Sequence, residues 1–304
     1  MAQFFQENSR AQQAIESARN SSDTVVLVLT YIFFVVSSGG YFLWSSMAAL
    51  IESLGKNPQR LESAAEFGDG FVIFIGLIFA VVFYAIWFFI TLGLGMIFIR
   101  IYRHQILGNS LLVRYSDYAW LRDWTNQLAA ELNMPDVEVY ITQNPYINAY
   151  AFGFAKPYCI VLNSGTIRYM TDDEIKVIVI HEMAHIKYKH TNMNVFLQPF
   201  KVLPIVRAFS AWLAGFWSRR AELTADRLAI FYLQNPDIIK KSLIKVHVGP
   251  DAAKYLNQTA EQWLDFNTRG AMNAFSQTFS DHPFLVRRLK HIDSFYPNQP
   301  EAQN

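Results

Sequence analysis

The sequence is poor in cysteine and in charge. Of its 304 residues only Cys159 is a cysteine, which excludes an intramolecular disulfide and a multi-cysteine metal site. Cys159 lies in the apolar run Tyr158-Cys159-Ile160-Val161-Leu162 and reads as a core residue. Asp, Glu, Lys and Arg make up 17% of the chain, against about a quarter in ordinary soluble domains. The formal net charge is +1, so there is no basic footprint of a nucleic-acid partner. There is no internal repeat and no long low-complexity tract. The first 23 residues mix Glu7, Glu16 and Asp23 with Arg10 and Arg19, which is not the basic start of a cleaved signal peptide.

Where charge is absent, apolar residues run on. Residues 24–44 carry no charge, and about 20 apolar residues suffice for a helix to cross the hydrocarbon. The Ser37-Ser38-Gly39-Gly40 piece inside this run reads as a helix–helix contact. A second uncharged run, 71–99, ends at Arg100 and Arg103. As a helix it would reach roughly 43 Å, enough to span with tilt. The expectation is therefore an N-terminal segment (1–23), two transmembrane helices (24–44 and 71–99) and an intervening loop (45–70). The segment 11–20 reads as a short surface helix. Arg10, Arg19, Arg100, Arg103 and Arg114 flank one side of the spans, and Lys56 and Arg60 the other. The positive-inside rule then places the loop outside the cytoplasm and the C-terminal part within it.

From about Ser110 the sequence turns globular, and residues 110–296 are long enough for one domain with a core. Residues 136–142 alternate as a strand does, and 147–154 and 157–162 are further strand candidates. Asn163-Ser164-Gly165 reads as a turn. Thr171 to Glu174 forms a capping box that opens a helix running to about Lys189. Another helix is expected over 218–233. The aromatic-rich segment 193–217, broken by Pro199 and Pro204, reads as a membrane-surface helix, a cover for the cleft, or core. The tail 297–304 reads as disordered. The fold class is α+β: two transmembrane helices followed by a mainly helical domain with a small β-sheet.

Within the first of those helices stands His181-Glu182-Met183-Ala184-His185, an HExxH motif. Residues four apart share one helix face, so both imidazoles can bind one metal. Glu182 lies about 100° around the helix, where it can reach a water at that metal and act as general base. Glu222, on the later helix, is the best candidate for a third ligand. Asp226, one turn further, can hydrogen-bond the second nitrogen of a ligand histidine. A third histidine six residues after His185 is missing, since that position is Thr191; His190 falls one short and reads as a helix-end or surface residue. Two histidines and a carboxylate suit Zn²⁺, one per chain.

Several further pieces stand in a recognisable order: Asn148-Ala149-Tyr150-Ala151-Phe152-Gly153, Asn163-Ser164-Gly165, the HExxH motif, 218–226 (SRRAELTAD) and Asp281-His282-Pro283. On these the chain resembles the integral-membrane zinc metallopeptidases that include HtpX and the CAAX prenyl endopeptidases. The resemblance covers roughly residues 115–292. It implies a zincin-like peptidase domain with His181, His185 and Glu222 as zinc ligands and Glu182 as catalytic base. It also implies that Asn148 holds the substrate backbone on an edge strand and that His282 stabilises the oxyanion. The setting it implies is a bacterial cytoplasmic membrane, with membrane-associated or misfolded polypeptides as substrates. HtpX is similar to a four-span protein, whereas residues 193–217 carry Lys201 and Arg207, so two spans are expected and a prenyl-protein substrate is not carried over. A dedicated processing peptidase with one target and a non-catalytic, zinc-containing membrane scaffold stay open beside quality control.

Overall fold

The computed structural model describes residues 11–56, 69–154, 156–192, 204–256, 258–270, 272, 273, 276, 280 and 282–296. The tail 297–304, residues 57–68 of the expected 45–70 loop and residues 193–203 lie outside them.

Two long helices come first, α1 (Ser21–Gly55) and α2 (Asp69–Gly108). Both contain stretches long and apolar enough to cross a membrane, Ser21–Ala49 and Phe74–Gly108. Only 17% and 6% of their most apolar windows are buried, so neither is the core helix of a soluble protein. They form an antiparallel pair. The Ser38 and Tyr84 hydroxyls lie 2.7 Å apart, and Phe42 packs on the rings of Tyr84 and Trp87. Gly39 faces the Tyr84 ring, so Ser38 and Gly39 of the small-residue piece stand at the helix–helix contact, while Gly40 faces open space. Both helices are longer than their uncharged runs, because nothing in the sequence breaks them at the first charge. The end of α2 therefore reaches the domain, where Tyr102 meets Phe152 and Arg103 bonds the Pro157 carbonyl.

The domain opens with β1 (Ser110–Leu112), followed by a 3₁₀ turn and α3 (Ala119–Glu131). The strands β2 (Val137–Thr142), β3 (Ala149–Phe152) and β4 (Tyr158–Asn163) come next. The sheet order is β1-β2-β4-β3, with β2 and β4 parallel and the other two pairs antiparallel. Val137, Val139, Ile160 and Leu162 are fully buried on one face of the sheet. That face packs on α5 (Asp172–Lys187), which follows the short helix α4 (Ser164–Tyr169). The capping box is present: Glu174 N–H donates to Thr171 Oγ1, and Thr171 N–H to the Glu174 carboxylate at 2.8 Å. Behind α5 lie α6 (Pro204–Leu233), α7 (Pro236–Val248), α8 (Pro250–Ala253), α9 (Gln258–Thr268) and α10 (Leu285–Asp293).

Four expectations are corrected. Asn163-Ser164-Gly165 is not a free turn: it ends β4 and starts α4, with Asn163 as N-cap. A Cβ at Gly165 would lie 2.2 Å from the Pro145 carbonyl oxygen, so the strand must turn into the helix against the backbone of the preceding loop. The three-residue β1 was not expected, being too short to alternate. Residues 11–18 form the expected helix, exposed at Gln12, Gln13, Glu16 and Ser17, but its other face is not at the surface, since Ala14 and Ala18 are buried in the domain core. Tyr188 donates to the Ile15 carbonyl, and Arg227 to that of Ala18. Lastly, residues 204–217 form no separate surface helix or lid. They continue the helix that carries Glu222, and Ala214 packs on the buried Phe34 of α1.

Candidate active site

α5 places His181 and His185 one turn apart, their rings edge-on with centroids 4.9 Å apart. The apolar residues around them, among them Ile175, Val179, Ile180, Met183 and Ala184, bury the rest of the helix and fix its rotation. The two Nε2 atoms approach to 3.2 Å. From α6, Glu222 brings Oε2 to 3.3 Å from His181 Nε2, and Oε1 to 3.5 Å from His185 Nε2. The potential ligand atoms of these three side chains all lie within 4.8 Å of one another. Two imidazole nitrogens and one carboxylate oxygen, with a cleft beside them, are a donor set that fits a zinc ion with a position left for a reactant.

Neighbouring side chains brace the cluster. Asp226 Oδ1 lies 3.1 Å from His181 Nδ1, leaving Nε2 of that ring facing the cluster. Arg288, from α10, forks onto Asp226 with Nε–Oδ2 2.8 Å and Nη2–Oδ1 2.6 Å; its Nη1 lies 3.3 Å from Glu222 Oε2. His282 Nδ1 lies 3.3 Å from Glu222 Oε1.

Burial alone would raise the Glu222 carboxyl, but hydrogen bonds from His181, His185 and His282 hold it well below the usual carboxylate range. Burial alone would likewise raise Asp226, and the Arg288 guanidinium and His181 reverse that and hold it low. His181 is pushed up to about 10, because its bonds to Asp226 and Glu222 outweigh its burial. The bond to Glu222 raises His282. A dense charge network thus surrounds the donor set.

The cleft has a volume of about 180 Å³. Glu182, Glu222, His181 and His282 line it, with Asn148 at its strand side and Val177, Ile239 and Leu243 as an apolar wall. Asn148 immediately precedes the edge strand β3, and its side-chain oxygen accepts from Ala149 N–H at 2.9 Å. Each residue named from the sequence is thus brought to one site.

Two neighbours of the site were not read from the sequence. Arg288 is buried beside Val286, Leu289 and Ile292 of α10. His190 is corrected: it is buried, with Nδ1 3.0 Å from His185 Nδ1. The helix ends at Lys187, two residues before the approximate end expected, and Lys189 at φ 60° turns the chain back toward the site.

Residues 116–295 match the family model described as "Peptidase family M48". The chain is 30% identical over 212 residues to the "Plastoglobule-localized metallopeptidase 48, chloroplastic" of Arabidopsis thaliana, covering 62% of this chain and 60% of that protein. It is 23% identical over 211 residues to the "Protease HtpX homolog" of Methanopyrus kandleri, covering 57% and 65%. The matched stretch therefore spans less than two thirds of either relative. Among solved structures, Ste24p of S. mikatae aligns with 15% identity and a TM-score of 0.45, over 90% of this chain and 67% of that one.

Proposed function

Because this chain belongs to peptidase family M48, we propose that it is a membrane-anchored zinc metalloendopeptidase acting on membrane-associated or misfolded polypeptides. The observation that carries this reading is the convergence of His181, His185 and Glu222 on one point, with Glu182 on the same cleft. Those three residues would hold the zinc. When bound, it would supply Lewis-acid polarisation of the scissile carbonyl and make a water acidic near neutral pH.

Glu182 takes the proton of the attacking water and returns it to the leaving amine. Asp226, held by Arg288, keeps His181 in the tautomer whose Nε2 faces the metal position. His282, at the cleft wall over Glu222, donates toward the oxygen that gains charge at the carbonyl. β3 is an edge strand, so an extended substrate segment can add to it beside Asn148. That pose selects flexible or unfolded segments. The positive charges beside the spans favour a cytoplasmic domain.

The test is cleavage of casein by the zinc-loaded chain in detergent, wild type beside Glu182→Gln, with and without a chelator. Cleavage by the wild type alone, lost with the chelator, supports the reading. Equal cleavage by both chains removes Glu182 from its role. Zinc binding without cleavage by either favours the non-catalytic scaffold.

A further inference from the structure

We propose that His190 is a positioning residue for the metal site, fixing the ring orientation and tautomer of His185 as Asp226 does for His181. The proposal rests on the metallopeptidase reading above.

The two ligand histidines differ in what stands behind them. His181 Nδ1 faces a carboxylate, the common arrangement for a metal-bound imidazole. His185 Nδ1 faces another imidazole, His190 Nδ1, at 3.0 Å. An imidazole nitrogen that binds a cation must present a lone pair, so with Nε2 of His185 toward the cluster its proton sits on Nδ1. His190 Nδ1 must then accept, and its own proton lies on Nε2. One hydrogen bond thus sets the tautomers of both rings.

The fold holds His190 for this task from several directions. Lys189, with φ 60°, bends the chain at the end of α5 so that His190 returns under its own helix. Outside glycine that conformation is uncommon. The His190 ring stacks on Tyr188, at 5.9 Å and 30°. Trp217 of α6 meets it edge-on, at 5.7 Å and 84°. From the sheet side, a Cβ at Gly153 would lie 2.6 Å from Thr191 Oγ1 and 3.1 Å from Ile186, so the backbone after β3 closes tightly on this turn. The acceptor for His185 is therefore fixed before any metal binds.

The experiment uses the full chain in detergent, stripped of metal and titrated with Zn²⁺ against a chromophoric chelator. A parallel titration with Co²⁺ reads the ligand-field spectrum, and the melting temperature of the metal-free protein reads packing. His185→Ala is the reference: zinc binding unaffected by it overturns the reading of the site, and the inference with it. His190→Phe keeps a ring against Tyr188 and Trp217 but has no acceptor. It should weaken zinc by about 10–100-fold and alter the Co²⁺ spectrum, with little change in metal-free melting. His190→Asn, whose amide oxygen can stand where Nδ1 stood, should recover most of the affinity. Wild-type zinc affinity and Co²⁺ spectrum in His190→Phe overturn the proposal. So does an equal loss in the Phe and Asn variants that follows a lower metal-free melting temperature, since His190 would then be packing only.

Discussion

Arg288 and Asp226 are buried against each other, and neither can be removed without leaving the other charged in a nearly water-free place. Arg288→Leu should therefore cost about 3–5 kcal/mol of stability, read by chemical denaturation in detergent. A loss under about 1 kcal/mol, within the range of exposed pairs, would mean that water reaches Asp226. At this scale the sequence was legible wherever the geometry is local. His181, Glu182 and His185 follow from helix spacing alone. Glu222 could be named because HExxH leaves a ligand short and Glu222 lies on a later helix. Arg288 and His190 were not legible. A buried cation cannot be told from a solvated one by pattern, and the position of His190 depends on the left-handed turn at Lys189, which no glycine announces.

The elements were mostly readable because their signals are strong. Two charge-free runs, one alternating strand and a capping box gave α1, α2, β2 and α5, but the expected C-terminal ends of α1 and α2 fell eleven and nine residues short. Thr171→Ala should cost about 0.5–2 kcal/mol, as caps generally do, seen as a lower melting temperature with the site chemistry unchanged. At Gly165 the close approach of the Pro145 carbonyl leaves no space for a methyl group. Gly165→Ala should displace the loop before β3 and reduce cleavage more than it reduces zinc content, which a kcat/KM assay beside metal analysis would show. The role of Gly165 was hidden because a turn and a strand-to-helix junction use the same small polar residues. Residues 193–217 could not be assigned among surface helix, cleft cover and core. Aromatic content suits all three, and the structure shows residues 204–217 as the first half of the Glu222 helix, with Ala214 packed on Phe34.

At the scale of the whole molecule, the spans and the domain are sewn together by the N-terminal residues. Asp23, at the start of α1, accepts from Arg220 at 2.8 Å and from Thr224 at 2.7 Å. The segment before it is buried against the domain core. Residues 11–23 and the domain therefore lie at the same end of the α1–α2 pair. A reporter fused after residue 60 should give the opposite compartment from one fused after residue 300; the same compartment for both would break the two-span arrangement.

The run of α6 along α1 sets a height. Ser38 lies beside Tyr84, so counting back along α1 and onward along α2 brings Asp23 and Arg100 to about one level, where charge resumes on both helices. Phe34 is eleven residues beyond Asp23, about 16 Å of helix and roughly half of a ~30 Å hydrocarbon layer. Ala214 packs on Phe34, while Arg220 and Thr224, on either side of Glu222, hold Asp23. α6 thus runs from Pro204, ten residues or about 15 Å of helix beyond the contact of Ala214 with Phe34, back to the level of Asp23, where it carries Glu222. The spans act as a depth gauge as well as an anchor. A peptide bond held near the lipid should then be cut faster than the same sequence carried far out on a soluble domain, as cleavage of one reporter peptide on short and long vesicle-anchored linkers would show.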